Sequence, residues 1–295
     1  MLNNTLIQKI QSPQAEIQGV SVSILRLDLL HPVVSGNKIF KLKYFIEKAL
    51  KERKQLITFG GPYSNHLVAT AYATQQAGLK ALGYVRGERP SILSETLQDC
   101  ITYGMDLRFV ARSEYDQLQE VVKKDIQSDM LVVPYGGYGR LGAMGAKEIL
   151  EFEEASRFDI IMASCGSGTM AAGLLAVIKP HQQLLLVSAV KNNFSIEKEI
   201  KSLLLEEEYA NKLFSINHEY HFGGFAKKDE KLLSYMNNFF RETGIPTDIV
   251  YTGKLAYSMS DMLQKGKLPS NSNILLIHSG GLQGNRSLKN NQLIF

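Results

Sequence analysis

Short apolar runs alternate with helical stretches along nearly the whole of this 295-residue chain, and several of the runs end in glycine-rich turns. Residues 55–59, 80–85, 107–110, 130–133, 158–163, 184–187, 248–251 and 274–277 have the length and apolar content of buried strands. Residues 65–76, 93–103, 114–126, 169–177 and 255–264 carry helical spacing, with Gly78 and Gly104 as stop signals after the first two. This alternation predicts an α/β architecture, open parallel sheets covered by helices on both faces. Ligands in such sheets sit beyond the carboxyl ends of the strands. The turns at 60–66, 166–169 and 279–281 all fall there. The least regular stretch, 191–231, is rich in charge and Asn and reads as surface helices and loops. No repeat or low-complexity tract marks a boundary.

Composition narrows the function classes. With 44% apolar residues the chain can bury a large core, and a net charge of +4 spread among interleaved acids and bases does not suit nucleic acid. The two cysteines, Cys100 and Cys165, are far apart and suit a reducing compartment without a disulfide. Neither has a Cys or His at metal-ligand spacing, so no metal site is expected. No signal-peptide pattern opens the sequence and no apolar run approaches the ~20 residues of a membrane span. The expectation is a soluble cytoplasmic homodimer that avoids membranes and acts on a small molecule.

Three turns and one helix start carry chemistry. In Ser35-Gly36-Asn37-Lys38-Ile39-Phe40-Lys41-Leu42 a lysine stands where a tight turn becomes an amphipathic helix. A lysine that forms a Schiff base needs partial burial, because desolvation disfavours the ammonium and frees the amine. Lys38 fits that role, with Lys41 one turn later as its competitor. Gly60-Gly61-Pro62-Tyr63-Ser64-Asn65-His66 is a strand–turn–helix junction whose free amides and dipole favour an anion. Ser164-Cys165-Gly166-Ser167-Gly168-Thr169 offers a nest of amides and two hydroxyls suited to a phosphate dianion. It matches neither a Walker loop nor a dinucleotide fingerprint. Tyr251-Thr252-Gly253-Lys254 and His278-Ser279-Gly280-Gly281 end two further runs. Amine, carboxylate cradle and phosphate cradle together are the requirements of pyridoxal 5'-phosphate.

In this order the motifs resemble those of the 1-aminocyclopropane-1-carboxylate deaminase/D-cysteine desulfhydrase family, from about Pro13 to Gly284. The resemblance implies the tryptophan synthase β-like, fold type II architecture of pyridoxal phosphate enzymes. It would have a small domain at 45–140 and a large cofactor-binding domain at 1–44 and 141–295. It makes Lys38 the Schiff-base lysine and Asn65 the partner of the cofactor's ring hydroxyl. Ser64, Asn65 and His66 would face the substrate carboxylate, Gly166, Ser167, Gly168 and Thr169 the phosphate. Tyr251 would lie beside the substrate and Thr252 at the pyridine nitrogen, with Lys38, Ser64 and Tyr251 taking part in catalysis.

Four departures bear on the reaction. The family often has Arg at Phe40 and Glu at Lys43. Cyclopropane deaminases place Glu where this chain has Thr252, and a second tyrosine where it has Phe222-Gly223-Gly224-Phe225. A neutral residue at the ring nitrogen favours prompt loss of a β-leaving group. The expected activity is therefore α,β-elimination from a small amino acid, D-cysteine first, giving pyruvate, ammonia and sulfide. The alternatives are 1-aminocyclopropane-1-carboxylate deamination and a low-turnover pyridoxal phosphate-binding protein.

Overall fold

Two sheets, one of four strands and one of six, organise the chain in a computed structural model that describes residues 6–125, 129–289 and 291–295. The first part contains β1 (Ile7–Ile10), α1 (Pro13–Ile17), β2 (Ser21–Arg26) and α2 (Lys38–Glu52). Then come β3 (Gln55–Gly60), α3 (Asn65–Gln76), β4 (Ala81–Arg86), α4 (Glu95–Thr102), β5 (Met105–Val110), α5 (Arg112–Asp125) and β6 (Met130–Val132). After α6 (Arg140–Lys147) follow β7 (Ile160–Cys165), α7 (Thr169–Val177), β8 (Gln183–Ser188), α8 (Ile196–Ser202) and β9 (Leu213–Asn217). The chain closes with α9 (Glu230–Thr243), α10 (Thr252–Gln264) and β10 (Asn273–His278).

The smaller sheet has the order β5-β4-β3-β6 and every pairing in it is parallel. The larger has the order β1-β2-β10-β7-β8-β9 and is parallel except at its edge, where β1 runs antiparallel to β2. Central strand β7, Ile-Ile-Met-Ala-Ser-Cys, is buried at all six positions, as a strand covered on both faces must be. Its side chains divide with the period of two. Ile161 and Ala163 join Leu174, Ile200 and Leu275 on one face, while Ile160 and Met162 join Leu255, Met259 and Leu276 on the other. Leu42 and Phe45 of α2 pack with Leu56, Ala69 and Val133, which ties that helix to the smaller sheet. Each such side chain contributes about 1.5–3 kcal/mol by leaving water.

Most predicted elements stand within one or two residues of their expected bounds, and α3 and α7 coincide with them. Two differences have physical causes. Residues 248–251 are a turn instead of a strand, because Asp248 accepts from the amides of Val250, Tyr251 and Thr252 and curls the backbone about its carboxylate. The irregular stretch 191–231 contains α8 and the edge strand β9, whose exposed Leu213 and half-buried Phe214 and Ile216 give it no clean alternation. The first strands, β1 and β2, lie in a stretch for which no strand is predicted. The predicted end of α5 at Ile126 lies outside the described residues. Among the described residues no helix is long and apolar enough to cross a membrane, and no group of His, Cys, Asp and Glu is placed to hold a metal ion. Cys100 and Cys165 are both buried free thiols.

Candidate active site

The glycine-rich turns from both sheets meet around a cavity of about 600 Å³. Its first wall is the start of α2. Gly36 has φ +68°, and a Cβ there would lie 1.8 Å from the carbonyl oxygen of Ser279. Only glycine permits that approach. The Asn37 amide then donates to the same carbonyl at 3.1 Å, so the turn before α2 is bolted to the end of β10. Lys38 is the first residue of α2. It is half-buried on the cavity wall, with Nζ donating to Asn37 Oδ1 at 2.9 Å. Loss of water brings its pKa down to about 8, although the charge of Asp248 works in the opposite sense. Lys41 lines the same cavity and is buried; burial, then the like charge of Lys38, hold its pKa well below the ordinary value.

The second wall is the start of α3. Ser64 caps it, accepting from the Leu67 amide at 3.3 Å, so its own hydroxyl proton stays free. First-turn amides have no partner within a helix and can receive an anion. Asn65 anchors its Nδ2 on the Gly281 carbonyl at 3.1 Å, and its Oδ1 is buried without a partner. His66 turns inward. The Thr58 hydroxyl gives its single proton to the Val133 carbonyl at 2.9 Å, so at 2.7 Å it accepts from His66 Nε2–H. That leaves Nδ1 as a bare acceptor with no partner. Burial, and after it the charges of Lys38 and Lys41, push the pKa of His66 far down and keep the ring neutral. A neutral imidazole showing a lone pair is a poor receiver of a carboxylate, so what this position offers an anion is its amide.

The third wall runs from β7 into α7. Gly168, the residue before α7, has φ +76°, a conformation that side chains resist. The Ser167 and Thr169 hydroxyls lie 3.2 Å apart beside the unpaired first amides of the helix. Tyr251 approaches from the turn before α10. Its phenol oxygen would sit 2.8 Å from a Cβ added to Gly166. Burial, then Asp248 and Cys165, raise its pKa and keep the phenol protonated.

The structure brings Lys38, Ser64, Asn65, His66, Gly166, Ser167, Gly168, Thr169 and Tyr251 onto one cavity. It sets Thr252 back from it. The Thr252 hydroxyl donates to Asp248 Oδ1 and accepts from the Asp248 amide, both at 2.7 Å, and is buried. The hydroxyl that lines the cavity from the end of β10 is that of Ser279. Its neighbour His278 is occupied in the frame, with Nε2 2.7 Å from the Pro246 carbonyl and Nδ1 3.1 Å from Asp28. Sequence reasoning missed Asp248, which organises the Tyr251 turn. Its signal was an aspartate three and four positions before a Tyr-Thr pair, an Asx-type cap. It also missed Arg86 and Arg112, which line the cavity from the smaller sheet. No local pattern marks those two.

The donor set fits pyridoxal phosphate. The amides and hydroxyls at the start of α7 suit its dianion, Lys38 offers an amine whose pKa is already lowered, and the orphaned Asn65 Oδ1 and Ser164 Oγ await polar partners. Comparison with known proteins gives the same answer. The profile of the pyridoxal-phosphate dependent enzyme family matches residues 3–280, and the chain belongs to that family. It is a pyridoxal phosphate-dependent lyase of fold type II. A Thermotoga maritima protein named provisionally as a 1-aminocyclopropane-1-carboxylate deaminase is 31% identical over 92% of this chain and 91% of its own. The mitochondrial bifunctional D-cysteine desulfhydrase/1-aminocyclopropane-1-carboxylate deaminase of Arabidopsis thaliana is 28% identical over 90% of this chain and 73% of its own. Among solved structures, a 1-aminocyclopropane-1-carboxylate deaminase homologue superposes with a TM-score of 0.80 at 27% identity, covering 95% of this chain and 90% of that one.

Proposed function

We propose that the protein carries out α,β-elimination on a small amino acid in the manner of a D-cysteine desulfhydrase, releasing pyruvate, ammonia and sulfide. The observation that carries this reading is the Lys38 amine, with pKa about 8, on the same wall as two helix starts that can hold anions. Pyridoxal phosphate, when bound, supplies the electron sink for the carbanion at Cα. The chain's own residues do the rest. Lys38 would hold the cofactor through its amine and would take the Cα proton at Nζ. The first-turn amides of α3 and the Ser64 hydroxyl hold the substrate carboxylate, with Asn65 oriented by Gly281 beside them. Ser167, Thr169 and the amides that Gly166 and Gly168 leave open hold the phosphate. Tyr251 stays protonated and can donate to the leaving group or the substrate. Phe225, itself exposed, lines the cavity and packs edge-on against Tyr251 with centroids 6.1 Å apart.

Deamination of 1-aminocyclopropane-1-carboxylate is the second reading, supported by the relatives' names. Against it stand Phe222 and Phe225 in place of a second phenol, and a Thr252 hydroxyl already committed to Asp248. We also read residues 45–140 as the smaller unit and 1–44 with 141–295 as the larger, following the two sheets. A cytoplasmic homodimer acting on a small amino acid completes the proposal. Holoenzyme incubated with D-cysteine, L-cysteine, D-serine and the cyclopropane acid tests it. Sulfide and pyruvate from D-cysteine support elimination; 2-oxobutanoate from the cyclopropane acid alone supports the second reading. Spectral shifts without product would make the protein a cofactor binder.

A further inference from the structure

Four cationic side chains line the cavity, Lys38, Lys41, Arg86 and Arg112, and none of the lining residues among those described is Asp or Glu. The proposed chemistry accounts for two of them, since Lys38 holds the cofactor and Lys41 lies buried beside it. The arginines belong to the other sheet. Arg86 ends β4, and Arg112 opens α5 just beyond β5, the neighbouring strand; Arg86 is registered against Val110, two residues before Arg112. The Arg112 Nε stands 4.0 Å from where a Cβ on Gly87, the residue after Arg86, would be, and both arginines line the cavity from its exposed rim at adjacent strand ends. Strand ends of this kind are where parallel sheets place ligands.

Neither arginine has a hydrogen bond or ion pair with any described side chain. Arg286, by contrast, bonds Asp99 at 2.6 Å. Glu88 faces the adjoining groove, which Arg86, Arg112 and Pro62 share with the main cavity, and is bonded to neither arginine. The walls between are aromatic: Phe59 lies beside Tyr135 at 5.4 Å between centroids, and Tyr115 beside Tyr135 at 5.5 Å. The Tyr115 phenol is occupied by the Gly60 carbonyl at 3.0 Å, so it offers no donor to compete with the guanidiniums. The substrate's α-carboxylate and the cofactor's phosphate each have a helix start to meet. Two arginines therefore remain with no anion to meet.

We propose that Arg86 and Arg112 form a second anion subsite that selects amino acids whose side chain ends in a carboxylate or phosphate. The inference rests on the elimination reading and names its substrate class. For a serine O-phosphate, the Cα proton passes to Lys38 and the Cβ–O bond breaks with its electron pair on the departing phosphate. One water then completes pyruvate and ammonia. Paired guanidiniums suit such a group because their planar forks bond it bidentately.

The test compares holoenzyme with Arg86→Gln, Arg112→Gln and the double variant. The substrates are O-phosphoserine and serine in both hands, and D-cysteine. Calorimetry measures binding of succinate, an amine-free diacid, against butyrate, which lacks the second charge. KM for O-phosphoserine should rise about tenfold or more in the double variant, the scale of a lost charge-assisted contact, with a much smaller change for D-cysteine. Wild-type enzyme should bind succinate more tightly than butyrate, and the double variant should lose that preference. Equal rises in KM for charged and neutral substrates, or no wild-type preference for succinate, overturn the subsite. Retained succinate preference that depends on the arginines, with no amino acid consumed, sinks the elimination reading and leaves the subsite standing.

Discussion

Thr252 gives its hydroxyl proton to Asp248, Oγ1 to Oδ1 at 2.7 Å, on the far side of the turn that carries Tyr251 into the cavity. The same carboxylate accepts from three amides, Val250 at 2.8 Å, Tyr251 at 3.0 Å and Thr252 at 2.8 Å. Asp248 is fully buried and its charge reaches Lys38, where it raises the amine's pKa against the effect of burial. One carboxylate thus shapes the turn that presents the phenol and tempers the reactive amine.

Asp248→Ala should lower stability by about 2–4 kcal/mol, because several donors lose a charged acceptor in the interior. Thr252→Val should cost about 1–2 kcal/mol, since it keeps the shape but removes both the hydrogen bond the hydroxyl donates to Asp248 and the one it accepts from the Asp248 amide. Denaturant unfolding of the two variants checks the order. Equal losses would show that the Thr252 hydroxyl carries as much as the carboxylate itself.

Lys38→Ala should remove the covalent link to the cofactor, and with it the visible absorbance, in a protein that still melts cooperatively. Lys41→Ala should keep the colour. Spectra recorded after gel filtration decide between them, and a colourless Lys41→Ala with a coloured Lys38→Ala would exchange the two roles.

Capture of pyridoxal phosphate by cofactor-free protein should depend on pH through Lys38. Its pKa is depressed to about 8, so the neutral amine grows about tenfold per pH unit below that value and levels off above it. Asp248→Asn removes the charge that raises this pKa, so the midpoint should move to lower pH. Stopped-flow absorbance across pH 6–10 measures both, and a midpoint moving upward would mean that Asp248 does not stabilise the ammonium.

Lys254 is fully buried and its Nζ donates to the carbonyls of Gly224 at 2.7 Å and His221 at 2.8 Å, with Ala189 at 3.5 Å. It clamps a loop in which Phe222, Gly223, Gly224 and Ala226 all have positive φ. Lys254→Met keeps the length and removes the donors, so it should cost about 2–4 kcal/mol. Amide exchange should quicken at 221–226 and Phe225 should loosen against Tyr251. Burial lowers the Lys254 pKa to about 8, with Asp248 opposing. An opening that rehydrates this amine takes up a proton above that pH, so opening at 221–226 should become less favourable as pH rises from about 8 toward the ordinary lysine value, a trend that Lys254→Met lacks.

Gly168→Asp should weaken cofactor affinity by about a hundredfold, as it strains a residue with φ +76° and sets a carboxylate against the phosphate dianion. Equilibrium titration with pyridoxal phosphate reads this directly, and unchanged affinity would remove the turn from the phosphate site.

What the sequence determined by itself is local. The helix start at Ser64 and the left-handed glycine before α7 are written in a few consecutive residues, because capping and positive φ are decided by nearest neighbours. Strand and helix alternation predicts the parallel sheets for the same reason, and ordered motifs point to the cofactor. Only the tertiary structure decided the rest. Asp248 turns the chain where apolar residues predict a strand, since its buried carboxylate gathers the amides of Val250, Tyr251 and Thr252 and the Thr252 hydroxyl, while Asn285, distant in the chain, accepts from the Ile249 amide. The tautomer of His66 depends on Thr58 and on the Val133 carbonyl, which is 75 residues from Thr58 in sequence. Arg86 and Arg112 become a pair because β4 and β5 lie side by side, and no periodicity records which strands will be neighbours. Contacts between residues distant in the chain are set by packing of whole elements, and that information exists only once the elements have been assembled.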